Sequence, residues 1–377
     1  MAGVAVNGVL IARPDNAGDV LLAGPAVRAA ATAGQVHLLC GPRGRAAAAL
    51  LPGVGDLIEH RLPWIEPEPM PVRRADADRL VDDVRARRIT TAAVLTSSHQ
   101  SPLPLAMLLR WAGVGRIAAV SHDHAGSLLD HRIRGDPDVH EVVRALLVTD
   151  ALGFPRPDDD RLSIALDPGP LPGRLAAGRP YVVVHPAASV PARTLSPATW
   201  HDAVGALVDD GWLVAVTGRR GDARLTAVVC GDHSEVVDLA GRTTMAELAR
   251  VLGSARVVAT GNTGPMHLAA AVGTPVVSAF PPTVPVERWR PWRVPHVVFG
   301  DQHVACAGCR SHTCPLPTPI CVDMVSGRQV ADAVGWLDAV ARPDAGAGRA
   351  GARADREHTT PPEPTAPHAP RDRVVIS

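Results

Sequence analysis

The sequence predicts an α/β protein of two domains, each built on a parallel β-sheet that helices cover on both faces. The chain has 377 residues, which is too long for one typical hydrophobic core and suits two domains. Short apolar runs rich in Val, Leu and Ala alternate with helical patterns, as parallel sheets require. A stretch rich in Pro, Gly and Asp, over residues 153–179, interrupts both patterns and predicts a linker.

The first domain is predicted over residues 1–172. Its strands are predicted at residues 8–12, 36–40, 57–60, 91–96 and 116–120. Its helices are predicted at residues 20–33, 46–51, 75–87, 104–112 and 139–152, with a loop over residues 13–19 after the first strand.

The second domain is predicted over residues 173–341 and includes a cluster of cysteines at 306–321. Its strands are predicted at residues 181–185, 213–217, 236–238 and 257–259, and its helices at 197–209, 222–229, 245–252 and 328–340. A further helix and strand belong to the 260–280 motif described below. Residues 342–377 carry Ala, Gly, Pro and charge without a period, so a disordered tail is expected there.

Composition narrows the partners. Acidic and basic residues balance at 38 each, and every Lys or Arg position is arginine, so no basic field for nucleic acid is expected. The N-terminus lacks the basic segment and cleavage site of a signal peptide. Residues 257–286 carry no formal charge, but Asn262, His267 and several Gly and Pro residues argue against a transmembrane segment. We expect a cytoplasmic protein, with peripheral membrane association left open.

The stretch over residues 260–280 predicts an anion site. It reads as a strand end, a turn with Gly261 and Gly264, a short helix and a second strand. Pro265 suits a first helical turn, so backbone N–H groups over residues 263–266 are expected to point outward at a phosphate. Side chains of Asn262, Thr263 and His267 would add partners. The alternative is an ordinary βαβ crossover with a histidine in its core.

Two further loops follow strands of the second domain. After the strand ending at His185, the loop carries Ser189 and Arg193, and a guanidinium matches the oxygens of a diphosphate. Ser196 and a following proline predict the start of the next helix. In the next loop, Asp222 could accept hydrogen bonds from ribose hydroxyls. Arg193 on a solvated face and Asp222 in an exposed turn are the alternatives.

The loop after the first strand ends in Gly18 and Asp19. A carboxylate there lies at the carboxyl edge of a parallel sheet, where ligands of open α/β folds bind. Asp19 is therefore the candidate general base. A helix N-cap is the alternative role, and the two roles are compatible.

Four of the six cysteines, Cys306, Cys309, Cys314 and Cys321, are spaced C-x2-C-x4-C-x6-C. Four thiolates close in sequence could bind zinc or an iron–sulfur cluster, and free or partly oxidised thiols are the alternative. Their place after the last strand predicts a structural role.

Four ordered motifs resemble glycosyltransferase family 9, which contains the ADP-heptose:lipopolysaccharide heptosyltransferases. They are Gly18-Asp-Val20 with Pro25-Ala-Val-Arg28, His185-Pro186 with Ser189 and Arg193, Asp238-Leu-Ala-Gly241-Arg-Thr with Glu247-Leu248, and Asn262-Thr-Gly-Pro-Met-His267-Leu-Ala-Ala. The resemblance covers about residues 9–337. It departs at Asn262, where many members carry an acidic residue, and at Arg193, where many carry lysine.

The resemblance implies the GT-B fold, two Rossmann-like domains facing each other across a cleft. It implies an inverting transferase that binds an acceptor, a glycan, glycolipid or small molecule, in the first domain and a nucleotide sugar, ADP-heptose, in the second. Asp19 would be the base and Thr263, Gly264, Ser189 and Arg193 would hold the leaving ADP, with no cofactor required for catalysis. A sugar-nucleotide epimerase of the same fold and a degenerate nucleotide-sugar-binding protein are the alternatives.

Overall fold

The structure, a computed structural model, describes residues 8–68, 70–134 and 139–341. It confirms the predicted α/β class, with two six-stranded sheets in which all paired strands are parallel. The chain divides into two compact units, with the boundary in the sequence between Ala165 and Leu166. This is slightly before the boundary predicted at 172. The tail predicted at 342–377 lies outside the described residues.

The first unit alternates strands and helices. Its strands are β1 (Val9–Ala12), β2 (Val36–Cys40), β3 (Val54–Glu59), β4 (Thr91–Val94), β5 (Arg116–Val120) and β6 (His131–Ile133). Its helices are α1 (Ala17–Leu22), α2 (Gly24–Ala31), α3 (Arg45–Ala48), α4 (Arg74–Ala86), α5 (Leu103–Trp111) and α6 (Glu141–Ala151).

The second unit repeats this pattern. Its strands are β7 (Tyr181–His185), β8 (Leu213–Val216), β9 (Val236–Asp238), β10 (Val258–Gly261), β11 (Val276–Ala279) and β12 (His296–Phe299). Its helices are α7 (Pro197–Asp209), α8 (Ala223–Cys230), α9 (Met245–Ser254), α10 (Gly264–Ala271), α11 (Val286–Trp289) and α12 (Gly327–Ala341).

Strand order defines one special place in each sheet. The first sheet is ordered β3-β2-β1-β4-β5-β6, and the second β12-β11-β10-β7-β8-β9. In both, the first strand of the unit pairs with the second and fourth, so the chain changes direction of winding between β1 and β4 and between β7 and β10. Open α/β sheets bind ligands beyond the carboxyl ends of strands at such a switch point. The loops after these four strands are therefore the candidate sites.

Burial explains the continuous apolar runs in the sequence. Residues Val9–Ala12 of β1 are fully buried, as are Val182, Val183 and Val184 of β7, because helices cover both faces of each sheet. Each unit has its own buried cluster, which includes Leu10 and Leu105 in the first and Val184 and Trp200 in the second. The predicted start of α7 is present, since the Ser196 side chain accepts a hydrogen bond from the Thr199 N–H.

The helix predicted at 20–33 is wrong in two respects. It is two helices, α1 and α2, that break at Ala23, because Pro25 in the first turn of α2 cannot donate a backbone hydrogen bond. The first of them begins at Ala17, so Asp19 lies in the first turn of α1 rather than in the preceding loop.

Strands β6 and β12 were not predicted. Both are short and lie at an edge of their sheet. The segment of β6, His-Arg-Ile, is only half-buried and lacks the apolar run that marks the central strands.

Candidate active site

Asp19 is held at the switch point of the first sheet by Arg13. Arg13 follows β1 directly, and Ser97 lies in the loop after β4. The Arg13 Nη2 group donates to Asp19 Oδ1 at 2.9 Å and to Ser97 Oγ at 3.0 Å. The side chain of Arg13 is 4% exposed and that of Asp19 is 20% exposed. A buried cation therefore orients a carboxylate that remains open to solvent, as a general base requires.

Two more carboxylates surround Arg13. Asp15 Oδ2 lies 3.1 Å from Arg13 Nε, and Glu141 Oε2 lies 3.4 Å from Arg13 Nη2. Asp15 also accepts from the Gln100 side chain at 2.6 Å, and Gln100 in turn accepts from the Ser97 N–H at 3.0 Å. The loops after β1 and β4 are thereby tied together by side chains.

Burial and charge act in opposite directions within this cluster. Burial raises the pKa of Asp15 to about 6, although the charge of Arg13 lowers it. Burial disfavours the charged form of Arg13, but the charges of Asp15, Asp19 and Glu141 outweigh it and hold the pKa of Arg13 above its ordinary value. Arg13 is therefore positively charged at neutral pH.

The structure adds residues that the sequence did not single out. The N-cap position of α1 is Asn16, so capping is not the role of Asp19. The sequence could have indicated Arg13 and Ser97 as site residues, because polar residues directly after parallel strands collect at one edge of the sheet. No local sequence pattern marks Glu141, since it contacts Arg13 across 128 positions of sequence.

In the second unit, Gly261 brings two predicted loops together. A Cβ atom on Gly261 would lie 2.5 Å from the Arg193 carbonyl oxygen, so only glycine allows this approach. That same carbonyl accepts from the Asn262 N–H at 3.0 Å. The turn over Pro191–Arg193 is therefore fixed against the end of β10, and Arg193 lies beside Asn262.

Thr263 occupies the N-cap position of α10, with Gly264 and Pro265 in the first turn. The Thr263 backbone is extended. Its side chain makes no capping hydrogen bond to the helix, so the hydroxyl is not used for capping. The expected array of outward N–H groups over residues 263–266 is smaller than predicted. Pro265 has no N–H, and the Met266 N–H donates to the Thr263 carbonyl at 3.0 Å.

Asn262 and His267 are both buried beside this turn, at 5% and 4% exposure. The Asn262 Nδ2 group has no hydrogen-bond partner among the residues that the structure describes. An unpaired buried amide is costly unless something else satisfies it. It is therefore the group of this turn best suited to a ligand.

The three predicted residues at the end of β7 and in the loop after it differ in burial. His185 is buried, its Nδ1 atom lies 2.9 Å from Thr217 Oγ1, and burial lowers its pKa to about 4. A neutral histidine inside the sheet offers no charge to a diphosphate. Ser189 is exposed and Arg193 is half-buried.

The Asp222 carboxylate is hydrogen-bonded within its own turn. Its Oδ2 atom accepts from the Arg219 N–H at 2.8 Å, within the short 3₁₀ turn over Arg220–Asp222. The predicted ribose contact would have to use its remaining acceptor capacity.

The cysteine loop, residues 306–321, lies beside the Arg193 turn, Pro191–Arg193. The Ala192 N–H donates to the His312 carbonyl at 3.0 Å. All four thiols are free, and burial raises the pKa of Cys321 with smaller contributions from its cysteine neighbours Cys306, Cys309 and Cys314. Over residues 8–68, 70–134 and 139–341, however, no three His, Cys, Asp or Glu side chains are arranged to hold a metal ion. The four thiols therefore form no ligand set within the described residues, and metal binding stays a prediction.

No helix within the described part of the chain is long and apolar enough to cross a membrane.

Comparison with known proteins gives the family. The sequence model of glycosyltransferase family 9 (heptosyltransferase) matches residues 79–319, which is more than half of the chain. The chain belongs to glycosyltransferase family 9. It is accordingly a glycosyltransferase, as the four motifs predicted. No curated protein sequence matches it.

Solved structures support the fold of this family 9 glycosyltransferase. E. coli ADP-heptose LPS heptosyltransferase II aligns with a TM-score of 0.68 and 16% identity, over 89% of this chain and 99% of that one. E. coli heptosyltransferase WaaC with ADP-2-deoxy-2-fluoro heptose aligns with a TM-score of 0.59 and 18% identity, over 78% and 93%. The iron-containing dodecameric glycosyltransferase TibC of enterotoxigenic E. coli aligns with 0.54 and 15%, over 90% and 78%. At these identities the likeness concerns the GT-B fold.

Proposed function

We propose that this family 9 glycosyltransferase moves a heptose or a related sugar from ADP-heptose to an acceptor hydroxyl, with inversion at the anomeric carbon. The observation that carries the proposal is Asp19, a partly open carboxylate that a buried arginine orients at the switch point of the first sheet. The donor is proposed from the similar structures, one of which is WaaC with ADP-2-deoxy-2-fluoro heptose.

The proposed donor site is the end of the second sheet between β7 and β10. The N-terminus of α10 favours an anion, because unpaired N–H groups and the helix dipole both carry positive charge there. Arg193 and Ser189 add a guanidinium and a hydroxyl, and Thr263 adds a hydroxyl that the helix itself does not use. Contacts that strengthen as charge develops on the leaving diphosphate contribute about 2–4 kcal/mol each to lowering the barrier.

Asn262 is proposed to contact the donor through its amide. Its Nδ2 group is buried without a protein partner, so a donor oxygen would satisfy it. Asn donates where the acidic residue of many family members would accept. We therefore propose that this position adapts the site to a donor with an acceptor group there.

The proposed reaction needs one base and no cofactor. The acceptor oxygen forms its bond to the anomeric carbon while the bond from that carbon to the β-phosphate oxygen breaks. The electron pair leaves with ADP, and the proton of the acceptor hydroxyl passes to Asp19. No step of this scheme uses a metal ion. The proposed acceptor is a glycan, a glycolipid or a small hydroxyl compound.

Asp19→Asn tests the base. Transfer should fall by about 10²-fold or more, because general base catalysis contributes on that scale. ADP affinity, measured by calorimetry, should change less than about twofold, since Asn keeps the shape of the side chain. The matched control is Asp82→Asn, which removes an exposed carboxylate of α4 that pairs with Arg85. Turnover at the parent rate in Asp19→Asn would exclude Asp19 as the base.

A nucleotide panel tests the donor. Calorimetric titration with ADP, UDP and GDP should show the tightest binding for ADP. Tighter binding of UDP or GDP would contradict an ADP-sugar donor. Incubation with ADP-heptose alone separates the alternatives, because an epimerase would produce an isomer without any acceptor.

A further inference from the structure

The cysteine loop is hydrogen-bonded to two loops that follow different strands of the second sheet. The Arg310 N–H donates to the Thr283 carbonyl, in the loop after β11, at 3.0 Å. Two residues further along, the His312 carbonyl accepts from the Ala192 N–H, in the loop after β7, at 3.0 Å. A short segment of the cysteine loop therefore connects the loop after β11 to the loop after β7.

Strand β10 lies between β11 and β7, and all three strands are parallel, so the carboxyl end of β10 lies between these two loops. Neighbouring strands are about 4.8 Å apart, so the two loops are separated by about 10 Å. Residues 308–312 can span that distance, because an extended chain covers up to about 3.5 Å per residue. A second hydrogen bond, from the Gly308 N–H to the Pro282 carbonyl at 2.7 Å, fixes the start of the segment. The segment therefore crosses the carboxyl end of β10, which Asn262 and Thr263 follow directly.

Arg310 has a backbone conformation that residues with a side chain rarely adopt. Its φ is +53°, in the left-handed region where glycine is favoured. Such strained residues persist only where their surroundings hold them, and they cluster at ligand sites. The bond to the Thr283 carbonyl holds Arg310 in place. Since glycine would fit this backbone with less strain, the arginine side chain needs a role of its own.

The fold does not use the Arg310 guanidinium. The residue is exposed, and its side chain makes no hydrogen bond or ion pair with the residues that the structure describes. A guanidinium carries pairs of N–H donors that match the oxygens of a phosphate, and it is charged at any physiological pH. It is therefore suited to an anion at the end of β10.

We infer that residues 308–312 form a wall of the donor site and that Arg310 binds the diphosphate of the nucleotide sugar. The inference rests on the proposed function, because the diphosphate is that of the proposed donor. Arg310 would share with Arg193 the negative charge that develops on the leaving diphosphate. The cysteine loop thereby acquires a role in donor binding that does not require a metal.

Arg310→Asn in the full chain tests the inference. Asn removes the charge and tolerates the left-handed backbone better than most residues with a side chain, so the path of the segment should be kept. ADP affinity, measured by calorimetry, should fall about fivefold to tenfold, because a charge-assisted contact is lost. Adenosine affinity, measured by NMR titration, should change less than about twofold, because adenosine carries no phosphate.

Two further variants make the test specific. Arg310→Lys keeps the positive charge without the planar pair of donors, so its loss of ADP affinity should be smaller than that of Arg310→Asn. The matched control is Arg88→Asn, since Arg88 is an exposed arginine of the first unit with a φ of +52°. This control should leave ADP affinity unchanged.

The outcomes separate the inference from the proposed function. Parent-level ADP affinity in Arg310→Asn overturns the inference and leaves the donor assignment standing. Equal losses for ADP and adenosine also overturn it, because they would show a displaced loop rather than a lost contact with phosphate. A parent protein that does not bind ADP contradicts the proposed function itself, and the inference then fails with it.

Discussion

At the scale of single residues, the first unit concentrates charge around Asp19, the proposed base. One buried guanidinium faces three carboxylates, and only Asp19 among them is open to solvent. A buried ion cluster is stable only when each charge has partners, and here Arg13 supplies them. The same arginine therefore holds the fold of two loops and the orientation of the candidate base.

Asp15 should make stability depend on pH. Burial raises its pKa to about 6 from an ordinary value of 3.8, so the folded state binds this proton more tightly than the unfolded chain does. The resulting stabilisation is complete at a pH below the pKa of Asp15 in the unfolded chain. It is lost as the pH rises through the pKa of Asp15 in the folded protein. Between about pH 4 and pH 7, the free energy of unfolding of the parent should therefore fall relative to Asp15→Asn, by on the order of 2–3 kcal/mol.

Denaturant unfolding of the two proteins across this range measures the difference. The variant also loses the contact between Asp15 and Arg13, which changes its free energy of unfolding by an amount that does not vary with pH. Only the pH-dependent part of the difference between the two free energies tests the prediction. A difference that stays flat with pH would show that Asp15 is ionised as readily in the folded state as in the unfolded one.

At the scale of elements, both candidate sites are loops after paired parallel strands. Gly261 shows how one residue sets such a loop, because the Arg193 carbonyl occupies the space of its missing side chain. The cysteine loop lies against the same turn through the contact between Ala192 and His312. The Arg193 turn thus has β10 on one side and the cysteine loop on another.

Gly261→Ala should displace the Arg193 turn. Its Cβ atom would lie 2.5 Å from the Arg193 carbonyl oxygen and 2.9 Å from Thr194 Cβ, so the backbone must shift. We expect a loss of about 1–3 kcal/mol in the free energy of unfolding, as for other overpacked sites. ADP should also bind at least about tenfold more weakly, which is about 1.4 kcal/mol.

The matched control is Gly221→Ala, since a Cβ atom at Gly221 meets nothing within 4 Å. Thermal unfolding and ADP calorimetry on both variants check the prediction. Parent-level ADP binding in Gly261→Ala would show that the Arg193 turn does not hold the nucleotide.

The cysteine loop should affect ADP binding if it holds a metal. Elemental analysis of freshly purified, reduced protein decides between a metal site and free thiols: about one zinc or iron per chain is expected if the four thiolates of C-x2-C-x4-C-x6-C bind metal, and none if they stay free. Removal of the metal by a chelator, or Cys309→Ser, should then weaken ADP binding through the contact between Ala192 and His312. Cys40→Ser, which changes a buried thiol of the first unit, is the control. Protein free of zinc and iron would exclude the metal site.

At the scale of the whole molecule, the two units repeat one strand order around separate cores. The same architectural position carries different chemical groups in the two units. The first unit places a carboxylate at its switch point, whereas the second places a helix N-terminus, an arginine and a buried amide there.

ADP should therefore stabilise mainly the second unit. In hydrogen exchange of the full chain, added ADP should protect backbone amides over residues 181–193 and 258–272, because ligand binding opposes local opening of the segments that hold it. Amides of the first unit should change little. Protection confined to the first unit would contradict the proposed placement of the nucleotide.

Much of the fold followed from local patterns. Fully buried parallel strands read as continuous apolar runs, so β1, β7 and β10 were predictable, and Ser196 with Pro197 predicted the start of α7. The edge strands β6 and β12 and the break between α1 and α2 were not predicted. The segment of β6 carries little apolar signal, whereas β12 contains an apolar run over residues 297–299 and was predictable. The break between α1 and α2 depends on one proline within a helical pattern.

The sequence by itself determined the fold class and the family. It also grouped the residues proposed to bind the donor, because Asn262, Thr263 and Gly264 lie in one contiguous segment and Ser189 and Arg193 in another. Only the tertiary structure decided that Arg13 joins Asp19 to Glu141, and that His185 is a neutral residue of the sheet. The physical reason is that burial and contacts between distant residues set charge and orientation. Residues 128 positions apart leave no local pattern of their meeting.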